Sequence, residues 1–88
     1  MKIIIEKPTE DKLKQLDVSS WGIWECEPST FDWHYDDRET CYLLEGKVTV
    51  KAGDQLVHLE KGDLGIFPKD MDCTWRVHEK VKKHYRFG

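Results

Sequence analysis

The 88-residue sequence has no apolar run near the roughly 20 residues of a membrane-spanning helix; Ile3–Ile5 is followed at once by charge. Its N-terminal stretch MKIIIEKPTEDKL has no long apolar core and no small-residue cleavage site, so the simplest location is the cytoplasm. Cysteine is scarce: Cys26, Cys41 and Cys73 are odd in number and widely spaced, with no Cys-x-x-Cys pair. That excludes a disulfide framework and fits reduced thiols. There is no basic excess, since 14 Lys and Arg face 17 Asp and Glu for a net charge of -3. A nucleic-acid partner is therefore not expected. Repeats, low-complexity segments and linkers are also missing, and the length allows one domain, residues 1–88.

What the chain does have is large side chains. Four Trp, three Tyr and three Phe supply the apolar area a small domain needs to fold alone. After a β-branched start (KIIIEKP) and a short helix (TEDKLKQL, with Thr9 as N-cap), the rest reads as strands and turns. Phe31, Trp33 and Tyr35 alternate with Asp32, His34 and Asp36, a period of two. TCYLLEG and KVTV are strand-like, with Gly46 marking a bend or bulge. QLVHLE, LGIFP, CTWRV and VKKHYRF follow, with HEK (His78) read as a turn and KVKKHYR as a solvated edge strand. An all-β sandwich or barrel is the expected class.

Two spacings occur together: Glu39-x6-Gly46, and Gly62-x5-Pro68 with Cys73 five positions later. They resemble the cupin superfamily motifs H-x-H-x(3,4)-E-x6-G and G-x5-P-x-G-x2-H-x3-N. ETCYLLEGKV and GDLGIFPK are most similar to the small single-domain cupins grouped with ureidoglycine aminohydrolase cupin domains. The resemblance implies a cupin jelly roll of the RmlC-like type, with one short N-terminal helix. It also implies a site inside the barrel and a homodimer. In metal-binding members the motif histidines and glutamate hold a divalent ion. Here Glu39 matches the glutamate, Cys73 stands at the second-motif histidine, and Val77 and Asp70 replace its Asn and Gly.

Strand parity decides what stands at the paired histidines. Turning Asp32, His34 and Asp36 inward would bury two carboxylates and expose three aromatic rings, so Phe31, Trp33 and Tyr35 are expected inside. His34 then faces solvent, and no complete metal set is expected. The alternative is a bulge before Glu39 that would assemble His34, Glu39 and Cys73.

The expected pocket is formed by Trp33, Tyr35, Glu39, Cys73 and Trp75. Glu39 is the candidate acid or base, or else a carboxylate satisfied by Tyr35. Cys73 is a candidate nucleophile, or a packed thiol. Lys83 shares the parity of Val81, Tyr85 and Phe87, as a pocket charge or, more ordinarily, a rim charge. His58 is expected to be exposed, and His84 to lie in the barrel or at its rim. Three functions remain open: an enzyme acting on a ureido, amide or similar polar metabolite, a non-catalytic small-molecule site, and a structural or regulatory dimer with a filled barrel.

Overall fold

The computed structural model describes residues 1–88. In chain order it contains β1 (Ile4–Glu6), α1 (Glu10–Leu16), a 3-10 turn (Val18–Ser20), β2 (Gly22–Cys26), β3 (Ser29–His34), β4 (Glu39–Ala52), β5 (Gln55–Glu60), β6 (Leu64–Phe67) and β7 (Asp72–Phe87). The expected all-β class with one short helix is what the chain adopts. Thr9 caps α1 as anticipated, its hydroxyl accepting from Lys12 N–H at 3.2 Å. No helix is long and apolar enough to cross a membrane.

The two long strands β4 and β7 pair antiparallel along their length and belong to both layers of the fold. The first half of β4 pairs with β6 and the second half with β5. The first half of β7 pairs with β3 and the second half with β2, while β1 extends β6. One layer is therefore β1-β6-β4-β7-β2, and the other is β5-β4-β7-β3.

The passage from one layer to the other is written in β4. Glu39, Cys41 and Leu43 are buried in its first half, and Val48, Val50 and Ala52 in its second. The inward parity thus changes from odd to even, which a regular strand cannot do. Register shifts between Leu43 and Val48 absorb the change, with Gly46 at φ +100° among them. β7 keeps one parity throughout, burying Cys73, Trp75, Val77, Val81 and Lys83.

Two sequence expectations are corrected here. HEK is not a turn: Glu79 lies opposite Lys47 within a continuous β7. KVKKHYR is not an edge strand, because β7 is paired on both sides, with β4 and β2. Neighbouring strands already satisfy its backbone, so its lysines have no edge to protect. His58 is exposed as expected, with Leu56 beside it on the outer face.

Between the layers lies the main core. Trp75 of β7 packs 5.3 Å from Phe67 of β6, and Phe67 lies 5.3 Å from Tyr35. A second cluster of Val18, Trp21 and Leu64 seats α1 against the outside of the first layer. Trp21 is held there by an N–H bond to Leu16 carbonyl at 3.1 Å and by Arg86 over its ring.

Candidate functional site

The interior contains an ion pair. Glu39, the first residue of β4, and Lys83, on the second half of β7, lie 44 residues apart in sequence and meet inside. Lys83 Nζ donates to Glu39 Oε2 at 2.9 Å, with side-chain exposures of only 7% and 4%. Tyr35 O–H donates to the other oxygen, Oε1, at 2.7 Å. The ammonium also sits 4.4 Å from the Trp75 ring centre and 5.0 Å from that of Trp24. Ring faces attract a cation most where water is absent. Burial, then the Glu39 charge and its hydrogen bond, drive the Tyr35 phenol far above its ordinary value, so Tyr35 stays a donor.

Above this pair opens a cavity of about 190 Å³. Trp24, Phe31, Trp33 and Trp75 form one part of its wall, and Tyr35, Tyr85 and Phe87 the rest. Glu39 and Lys83 are its two charged residues. Phe31 and Trp75 stack at 6.4 Å, and Trp24 meets Phe31 edge-on at 6.2 Å, so the wall is a continuous run of rings.

Of the five residues expected in a pocket, the structure brings Trp33, Tyr35, Glu39 and Trp75 around one cavity and leaves Cys73 outside its lining. The reason is local. Cys73 faces Trp33 across the β3–β7 ladder, and the long indole, not the short thiol, reaches the cavity. Trp33 shares the parity of Tyr35 but is 48% exposed, so the expected burial of all three aromatics holds for Tyr35, partly for Phe31, and not for Trp33. Lys83 is a pocket charge and not a snorkelling rim charge. Its signal was the parity it shares with Trp75, which reading HEK as a turn concealed. Trp24, Tyr85 and Phe87 also line the cavity; Trp24 comes from β2, whose alternation is too short to orient it. His84 lies on the opposite face of β7 from Lys83, with Nδ1 buried and unpartnered.

His34 points outward, with Nδ1 2.7 Å from Asp72 Oδ1. That contact raises its pKa above the ordinary value. Its stabilising effect is complete below the ordinary histidine pKa and is lost as pH rises through the raised one. Both side chains are exposed, so the effect is small.

The two buried thiols are quiet. Burial pushes Cys73 up to about 11 and Cys41 up to about 12. At pH 8 a thiol with such a value is about one part in a thousand thiolate or less. Iodoacetamide at pH 8 is therefore expected to modify partly exposed Cys26 and spare Cys41 and Cys73 in the native protein, as read by peptide mass spectrometry. Labelling of Cys73 as fast as Cys26 would restore it as a nucleophile.

An antiparallel two-layer β-fold with one buried Glu39–Lys83 pair and a ring-lined cavity between its layers is the architecture of a cupin. The chain belongs to the family of EutQ-like cupin domains, which matches residues 13–85. A DUF861 family protein from Thermotoga maritima is similar to it at 55% identity and TM-score 0.96, over 99% of this chain and 100% of that one. The EutQ protein of Clostridium difficile shares the fold at 20% identity and TM-score 0.70, over 97% of this chain and 66% of that one. A DUF861 family protein of unknown function from Pseudomonas syringae pv. tomato does so at 22% identity and TM-score 0.70, over 76% of this chain and 29% of that one. No curated protein matches the chain.

The divalent metal that many cupins hold does not fit these residues. Glu39 is the one His, Cys, Asp or Glu lining the cavity; both its oxygens are engaged, and one of them by an ammonium. A cation there would have to expel Lys83 from between two indole rings. The alternative set is also not assembled: no group of three His, Cys, Asp or Glu side chains comes together, and His34 is turned outward to Asp72.

Proposed function

We propose that the cavity is a metal-free site for a small molecule with an apolar, ring-sized body and a polar head read by Glu39 and Lys83. The observation that carries this is a charged pair with unused hydrogen-bonding capacity at the base of an aromatic cavity. An ammonium has three N–H groups, and only one of them has an acceptor here. A carboxylate has about four acceptor sites, of which Tyr35 and Lys83 use two. The pair can thus donate to a carbonyl oxygen and accept from an N–H at once. Amide and ureido heads meet that demand, in keeping with the ureidoglycine aminohydrolase resemblance. The volume supports the scale, since a cavity of about 150 Å³ already holds benzene.

Thermal melting with benzamide, phenylurea and toluene, each with and without zinc or manganese, tests this reading. A ligand at ten times its Kd adds about 1.4 kcal/mol, which is about 6–11 °C in Tm for a domain of this size. Benzamide or phenylurea is expected to stabilise more than toluene, and added metal to change nothing. No shift with any probe would favour the structural dimer.

Catalysis at the same site is a second reading, favoured by Glu39 facing the cavity with acceptor sites to spare. Glu39→Gln separates the two: turnover lost with affinity kept marks an acid or base, whereas affinity lost marks a binding group only.

A further inference from the structure

Of the eleven lysines, Lys83 alone is buried. The other ten are all at least partly exposed. Lys83 Nζ instead borders the cavity, with aromatic rings on two sides and Glu39 Oε2 at 2.9 Å. A primary amine facing a ring-lined cavity beside a carboxylate is an arrangement suited to carbonyl condensation. The amine must lose a proton before it attacks, and the hydroxyl it creates must gain one before it leaves. A single group can do both if it stays within hydrogen-bond reach of the nitrogen.

We propose that Lys83 captures a small aldehyde or ketone as a Schiff base in this cavity, with Glu39 moving the protons. The inference rests on the cavity being a ligand site and adds the class of ligand. Glu39 takes one proton from the Lys83 ammonium, leaving a neutral amine and a neutral acid. The nitrogen lone pair attacks the carbonyl carbon, and the carbonyl π electrons move to oxygen. That oxygen takes up a proton from nitrogen, giving the carbinolamine. Glu39 returns its proton to the hydroxyl, the C–O bond breaks, and water leaves as the nitrogen lone pair forms the C=N bond. The sum is ammonium plus carbonyl giving iminium plus water, with Glu39 again a carboxylate.

The product fits the site because its charge is unchanged. An iminium nitrogen is a cation in the position of the ammonium, so the Glu39 contact and the two indole faces keep their partner. The carbonyl substituent then extends along the ring-lined wall.

The test is benzaldehyde with sodium cyanoborohydride, which reduces an iminium in preference to a free aldehyde, on the full chain, followed by peptide mass spectrometry, with benzyl alcohol as a non-condensing analogue. The expected result is a saturable benzyl adduct at Lys83 ahead of the ten other lysines, suppressed by benzyl alcohol. In Glu39→Gln its formation is expected to slow roughly 10²-fold, while the Tm shift with toluene, which has no polar head for Glu39 to read, shows the aromatic wall intact. Stabilisation by benzyl alcohol with adducts only on surface lysines would overturn the Schiff base and leave the binding site standing. No stabilisation and no Lys83 adduct would overturn both. A Lys83 adduct that forms as fast in Glu39→Gln would remove the carboxylate from the step.

Discussion

Lys83→Met is expected to cost about 3–5 kcal/mol, the cost of leaving one buried charge without its partner. Glu39 would keep the Tyr35 hydroxyl as a donor but lose the only cation near it. The methylene stem of lysine is largely replaced by methionine, so the loss reads the charge and not a cavity. The double variant Lys83→Met with Glu39→Gln should recover about 2 kcal/mol or more of that loss, because both ions are gone and Tyr35 still has a carbonyl to bond. Urea denaturation of the wild type, both single variants and the double variant gives the coupling directly. Strict additivity would mean that the two groups do not act as a pair. A cost below about 1 kcal/mol for Lys83→Met would mean that water reaches Glu39.

Gly46→Ala is expected to be comparably damaging, about 3–5 kcal/mol, for a backbone reason. At φ +100° an L side chain is strained whatever the space around it. Here there is no space: an added Cβ would lie 2.7 Å from Val81 Cα and 2.9 Å from Glu79 O, and would also meet Lys80 O. These are backbone atoms of β7 and cannot rotate away. Gly46 is also where β4 changes its inward parity, so relief of the clash would move β7 two residues from Lys83. Gly62, the other glycine of the recognised spacing, separates the two causes. It has φ +91° but nothing within 4 Å of an added Cβ. Gly62→Ala should therefore cost only about 1–2 kcal/mol, the left-handed penalty alone. Equal losses at the two positions in urea denaturation would contradict the close approach.

These two residues also show what the sequence makes legible. Gly46 stands at a fixed distance from Glu39, and a glycine between two strand-like runs already suggests a bulge. Cys73 is placed inside only by its match to the motif histidine, whereas a period of two places Tyr35 inward and His34 outward. That works because burial in a strand is a local alternation. Lys83 was harder. Its parity was readable, yet a lysine normally reaches solvent, and only a partner 44 residues away makes its burial tolerable. No local pattern announces such a partner. Trp33 fails the other way: alternation says which face a side chain takes, but not whether another layer covers that face. Cys73 adds that an inward, buried residue need not reach the cavity when a larger ring stands beside it.

In this chain an ammonium, that of Lys83, holds the glutamate that metal-binding cupins give to a metal. The most direct measurement is elemental analysis of protein purified without a histidine tag, before and after incubation with zinc, manganese and iron. The expected result is no stoichiometric metal in either sample. One ion per chain surviving dialysis, and lost in Glu39→Gln, would contradict it.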